Sequence, residues 1–305
     1  MTLWPEFVRR LESLTDWPVV HREDGMLVAN RTLEEEEGAL EALAWQKEAG
    51  LPGEILSPGE ARGLHSGVSL NFPSYTWLPR EAQVDIQRLA VALADAVRGE
   101  GGKVMAGKAV AGLLSEGGRV VGTALEDGTR VAADRVVLAA GAWSPLLSGL
   151  PREVPVVPVR GQMVRLLPEE PSPWPLLTDH QGRYLVPREN GTLLVGSTME
   201  EVGYDESVTE EGRAGLMEVA LELFPTLEEA RLVERWAGLR PMTPDTGPVL
   251  GPEPDLEGLF YATGYGRNGI LFAPLAARAV ADLVVDGRSS VDWEPFSVTR
   301  FKGEG

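Results

Sequence analysis

Two short apolar strands, each emptying into a turn of small residues, constrain this chain more than any other feature. Arg135-Val-Val-Leu-Ala-Ala runs without polar alternation into Gly141, and Leu259-Phe-Tyr-Ala-Thr runs into Gly264-Tyr265-Gly266. Continuous apolar runs suit strands buried on both faces, as in a parallel α/β sheet. Small residues at the carboxyl end of a strand let backbone approach a ligand closely. Two such ends predict one crevice at the carboxyl edge of a parallel sheet, the usual ligand position in open α/β folds. The segment from Ile270 to Val285 reads as a largely apolar helix after the second turn. Its positive N-terminal end then favours an anion or a polarised carbonyl.

The spelling Gly264-Tyr265-Gly266-Arg267-Asn268-Gly269 fits G-x-G-x-x-G. A dinucleotide fingerprint, however, opens a βαβ unit with an acidic residue about 20 positions further on. Only 36 residues follow Gly269, and Val291 to Gly305 is too short and irregular to complete such a unit. The turn is therefore not that fingerprint.

The rest of the chain interleaves helix and strand patterns. Residues 3–14, 33–48 and 84–98 read as amphipathic helices, the third aligning Ile86, Leu89, Ala90, Leu93, Ala94 and Val97 on one face. Asp24-Gly25 turns into a strand at Met26. Asp127-Gly128 joins a hairpin between Arg119–Leu125 and Arg130–Ala132, and Asn190-Gly191 turns inside a strand-rich stretch, 155–200. A helix from about Thr209 to Phe224 precedes a strand near Val233 to Trp236. The fold class is α/β plus α+β: a doubly wound domain from 83–150 and 239–290, and an antiparallel-sheet domain with flanking helices from 1–82 and 151–238.

Composition narrows the function. There is no cysteine and there are three histidines, so disulfides, thiolate metal sites, Cys nucleophiles and Cys-linked cofactors are excluded, and a multi-histidine metal site is not expected. A net charge of −18 disfavours nucleic acid or an anionic membrane as partner. Neither a signal-peptide pattern nor an apolar window long enough to span a bilayer is present, and a cytoplasmic location is expected.

Four stretches carry a family resemblance: Asp134-Arg-Val-Val-Leu-Ala-Ala-Gly-Ala-Trp-Ser144; Tyr184-Leu-Val-Pro-Arg with Gly196-Ser-Thr-Met199; Trp236-Ala-Gly-Leu-Arg-Pro-Met-Thr-Pro-Asp245; and Gly264-Tyr-Gly-Arg-Asn-Gly-Ile-Leu-Phe-Ala-Pro274. In order and spacing the chain resembles the D-amino-acid oxidase family of flavoproteins, most nearly its thiamine-pathway glycine oxidases, from about residue 5 to 288. The resemblance implies non-covalent FAD, a small amino-acid substrate, hydride transfer from Cα, and O2 as acceptor giving H2O2. It also implies a front strand, G-x-G-x-x-G turn and helix ahead of Trp4, a unit of about 30 residues. Met1 falls where the family has already passed that unit. The expectation is a start codon placed downstream, with a truncated chain as the other explanation. Without that first strand, the 135–140 strand keeps an unpaired apolar edge.

Carried over residue by residue, the resemblance assigns the carboxylate anchor to Arg240, a role that suits a planar, permanently charged fork. Tyr184 would hydrogen-bond the same carboxylate, Met199 would line a small pocket, and Arg267 would stand near flavin and substrate. Tyr265, Gly266, Arg267, Asn268, Gly269, Ile270 and Leu271 would border the flavin, the helix start offering N–H groups to its pyrimidine oxygen. Gly141 and Trp143 would meet it from the other turn, and Val110 would give the adenine a backbone contact. No catalytic acid or base is implied; the histidines and Asp245 are expected to be structural. D-amino-acid dehydrogenase, sarcosine- or proline-type oxidase and a non-catalytic remnant are the alternatives, and self-association is left open.

Overall fold

An eight-stranded sheet forms the largest hydrogen-bonded unit in the molecule; the computed structural model describes residues 3–170 and 175–301. Across the sheet the strands are Arg231–Met242, Val157–Leu167, Leu193–Gly196, Tyr184–Pro187, Leu176–Asp179, Met26–Asn30, Ser74–Leu78 and Glu54–Leu56. All neighbours are antiparallel except Leu176–Asp179 and Met26–Asn30, which run parallel. Gly191 takes a positive φ in the turn expected at Asn190-Gly191. The helix Glu210–Leu223 is N-capped by Thr209, whose hydroxyl accepts the Gly212 N–H. Its Leu216, Val219, Ala220 and Leu223 recur at helical spacing and pack with Val164, Leu166, Leu193 and Val195 of the sheet.

A second sheet has three strands, Val249–Pro252, Leu259–Thr263 and Val136–Leu138, the last two parallel. Gly258 sets their register: its carbonyl accepts the Val136 N–H at 2.8 Å, and its φ is +89°. A Cβ there would overlap the Asp134 carbonyl. Gly258→Ala is therefore expected to cost about 1–3 kcal/mol, read as a fall in melting temperature; an unmoved melt would overturn that strain argument. The third sheet is a meander of Val110–Glu116, Arg119–Leu125 and Arg130–Ala132, with Asp127 and Gly128 turning where expected.

Two expectations differ. Val137 is 40% exposed rather than buried on both faces. Its strand pairs only with Leu259–Thr263, and among the described residues nothing pairs with its other edge. The helix Ile86–Gly99, capped by Asp85, buries Leu89, Ala92 and Ala96 and leaves Ile86, Leu93 and Val97 exposed. The helix Leu3–Glu12 causes this, since Trp4, Val8 and Leu11 dock on the first stripe. Leu93 and Val97 instead line a cleft of about 700 Å³ beside Phe7, Pro274 and Ala277. Among the described residues no helix is long and apolar enough to cross a membrane.

Candidate active site

The parallel strands Val136–Leu138 and Leu259–Thr263 end side by side, and buried hydroxyls join their ends. Ser144 Oγ donates to the Gly141 carbonyl at 2.8 Å and lies 2.8 Å from Thr263 Oγ1, which donates to the same carbonyl at 3.1 Å. Gly141 has φ +56° and opens the short helical turn Gly141–Leu146, on which Trp143 is half-exposed. The single rim predicted from the two strand–turn patterns is present.

The Gly-rich turn leans against the end of the strand Arg231–Met242. The Gly266 N–H donates to the Pro241 carbonyl at 2.9 Å. Gly264 and Gly266 have φ of +73° and +54°. A Cβ on the first would stand 2.7 Å from Thr243 Cγ2, and on the second 2.9 Å from Met242 Sδ. Glycine is thus required twice over, for dihedral angle and for space. The same contact places Arg267 beside the residues that follow Arg240.

Next the helix Gly269–Asp286 begins at Asn268, whose side chain makes no cap bond, and its first turn carries no acid. The N–H groups of a first helical turn have no intrahelical acceptor. Those of Gly269, Ile270 and Leu271 therefore keep an uncompensated positive end at the crevice. Tyr265 faces the other way, packed against the cluster of Leu250, Ala276, Ala279 and Val280. Burial pushes its hydroxyl pKa up to about 12.

Arg240 is the central cation. Its guanidinium donates to the Thr198 carbonyl at 3.1 Å and to Ser197 Oγ. It lies over Gly161 of the neighbouring strand, where a Cβ would overlap it. Among the described residues no carboxylate comes within ion-pair range of Arg240. Burial lowers its pKa, opposed by nearby Tyr184 and reinforced by the like charge of Arg267. Tyr184 pairs with Gly196 across the sheet, and a Cβ on that glycine would stand 2.8 Å from the ring. The Tyr184 hydroxyl meets Met163 Sδ at 3.6 Å, a weak acceptor that leaves it able to donate elsewhere.

Arg267 donates to the Gly182 carbonyl at 2.9 Å. That carbonyl belongs to a turn organised by Asp179, which accepts the Gln181 and Arg183 N–H groups at 3.0 and 3.1 Å and ion-pairs with Arg31 and Arg183. Burial alone would raise the Asp179 pKa, but these bonds outweigh it and hold the carboxyl below its ordinary value.

The predicted residues are therefore brought together unequally. Arg240, Tyr184, Arg267 and the 264–271 turn and helix start form one cluster. Met199 follows Thr198 directly and is about half exposed. Val110 stands at the exposed start of the meander, opposite Leu125. His180 Nε2 is hydrogen-bonded to the buried Asn30 at 2.8 Å, a structural role. His21 stacks on Trp4. Asp245 accepts the Gly247 N–H and pairs with Arg300, which is turn chemistry. Sequence reasoning missed Ser197, Gly161 and Gly182; the only signal was a glycine inside or beside a strand otherwise rich in larger residues.

Comparison with known proteins identifies the family. The family model described as DAO, FAD dependent oxidoreductase, matches residues 2–283. A glycine oxidase of Pseudomonas aeruginosa is 37% identical over 84% of this chain and 71% of its own. A bifunctional protein ThiO/ThiG of Trichormus variabilis is 34% identical over 99% of this chain but 45% of its own length. The crystal structure of glycine oxidase from Geobacillus kaustophilus superposes with a TM-score of 0.93 at 31% identity, covering 99% of this chain and 81% of that one.

Proposed function

The chain belongs to the DAO family of FAD-dependent oxidoreductases, and from that premise we propose that it oxidises glycine or another small amino acid or amine, with O2 as acceptor, H2O2 as by-product and thiamine biosynthesis as its setting. One observation carries the reading: a half-buried arginine without an acidic partner among the described residues, beside a tyrosine hydroxyl and the Gly-rich turn. A half-buried guanidinium with no counter-ion carries a desolvation cost that an anionic ligand would offset.

The residues at the crevice fit the ring end of FAD, because the helix start at Asn268 has neither side-chain cap nor acid to neutralise it. Trp143, Ile270 and Leu271 are exposed apolar groups at the same turns. In this reading Gly141, Trp143, the backbone of Tyr265 and residues 266–271 hold the flavin, and Val110 gives the adenine a backbone contact. The domain division 83–150 with 239–290, against 1–82 with 151–238, belongs to the same proposal. When bound, the flavin supplies an acceptor for the two electrons removed from the substrate.

The protein's own residues do the rest. Arg240 and Tyr184 fix the substrate carboxylate, which orients Cα. Arg267 adds positive charge beside them, and Met199 limits the side chain at Cα. The backbone N–H groups of residues 269–271 stabilise negative charge at the turn. No side chain is needed to take a proton if the amine binds neutral, in keeping with His180 being tied to Asn30.

The test is a visible spectrum of the chain purified with excess FAD and then desalted. A retained flavin spectrum that bleaches anaerobically with glycine is the expected result. Retained flavin that no small amino acid or amine bleaches would overturn the substrate assignment.

A further inference from the structure

Arg300 stands outside the cluster just described, yet its guanidinium is the most completely bonded one near it. All five N–H donors are used. Nε and Nη2 grip both oxygens of Asp245, at 2.7 and 3.1 Å, and Nη2 also donates to the Gly247 carbonyl at 2.9 Å. Nη1 donates to the carbonyls of Phe296 and Ser297 at 2.7 and 3.2 Å, and the cation lies 4.1 Å from the Phe301 ring centre. One side chain thus fastens the segment 296–301 to the loop 243–247.

That loop is tightly wound and strategically placed. Thr243 Oγ1 donates to the Gly247 carbonyl at 2.6 Å, the Thr246 N–H donates to the Thr243 carbonyl at 3.1 Å, and Thr246 has φ +61°. A threonine in the left-handed region is strained and persists only where its surroundings impose it. The loop continues the strand that carries Arg240. Thr243 is buried against Gly264, and the partly buried Met242 lies against Gly266. The segment is anchored at its other side by Val298, buried among Val249, Leu259 and Tyr261. Whatever fixes the loop therefore fixes both the end of the Arg240 strand and the Gly-rich turn.

We infer that Arg300 is a positioning residue, and that the segment 294–301 braces the site from behind by holding the loop 243–247 in its strained form. The inference rests on the proposed reading of Arg240 as carboxylate anchor. It predicts a local effect. Without the guanidinium fork the loop relaxes, the Gly264–Arg267 turn loses its backing, and Arg240 loses its set position over Gly161. Lysine, with charge but no fork, recovers only part of the function.

The experiment uses the full chain as wild type, Arg300→Ala and Arg300→Lys, followed by amide hydrogen exchange. Peptides covering 239–248 and 262–270 are expected to exchange about tenfold faster in Arg300→Ala. The change in Arg300→Lys should be smaller, and peptides covering 26–30 and 184–196 should stay at wild-type rates. In FAD-loaded protein, KM for glycine should rise about tenfold with kcat within about twofold. Unchanged exchange, a uniform rise across all peptides, complete rescue by lysine, or an unchanged KM would each overturn the brace. If Arg300→Ala does not fold, Arg300→Lys is judged by the same peptides, where equal exchange in all of them overturns the inference. An inactive wild type would sink the oxidase reading alone, because the exchange pattern still decides whether Arg300 holds the turn.

Discussion

Arg240→Ala is expected to abolish useful affinity for the substrate carboxylate while leaving the fold as stable as before or more so. A hydrogen bond to a charged group contributes about 1.5–3 kcal/mol, and a bidentate pair in a half-buried site has two. KM for glycine in FAD-loaded protein should therefore rise by roughly 10²-fold or more, at about 1.4 kcal/mol per tenfold. The stability half of the expectation follows from what surrounds the guanidinium. It bonds Ser197 Oγ and the Thr198 carbonyl, and among the described residues no carboxylate pairs with it. Removing a partly desolvated, unpaired cation relieves a cost instead of breaking a salt bridge. Steady-state kinetics and a melting curve read the two halves separately. A melting temperature lowered by several degrees with KM unchanged would make Arg240 a structural residue and remove the carboxylate site.

Gly161→Ala should produce a functional defect with little structural cost. The three atoms nearest the added methyl all belong to the far end of the Arg240 side chain, which it would overlap. A flexible side chain yields easily, so the expected melting temperature is within a degree or two of wild type. The guanidinium must nevertheless leave its place between Ser197 and the strand, and a displacement of about 1 Å in a positioned group can cost roughly 10²-fold in rate. The kinetic defect should resemble a mild form of Arg240→Ala. Gly182→Ala is the instructive contrast. It too would displace an arginine, Arg267, but its φ of +73° adds backbone strain, so its melting temperature should fall. A wild-type KM in Gly161→Ala would show that the position of Arg240 over that glycine is not the one substrate uses.

What was legible in the sequence was whatever is local. The paired strand–turn patterns at Gly141 and Gly264 announced a shared crevice, and the hydroxyls of Ser144 and Thr263 join the two ends. Arg240, Tyr184 and Arg267 were legible through motif resemblance. The residues that hold them were not, because each contact closes over a long stretch of chain. Ser197 meets Arg240 across 43 positions, and Gly182 meets Arg267 across 85. Local pattern also misjudged the helix Ile86–Gly99. Its widest apolar stripe is set by sequence, but the stripe that is buried is set by where Trp4, Val8 and Leu11 dock. Asp245 was readable as a turn former, whereas Arg300 offered no signal before the fold placed the two together.

The parallel pairing of Met26–Asn30 with Leu176–Asp179 has a consequence for how the protein is made. The two strands lie next to each other in space but 150 residues apart in the chain. Closing so long a loop early is entropically unfavourable, and such non-local contacts slow folding. On a ribosome adding about 5–20 residues per second, Met26 waits roughly 8–30 s for Leu176 to appear. Until then the strand holds only its Ser74–Leu78 neighbour, and its Leu27 and Ala29, fully buried in the finished protein, lie along an open edge. The nascent chain is thus most exposed to edge-to-edge association while the residues between Leu78 and Leu176 are being added.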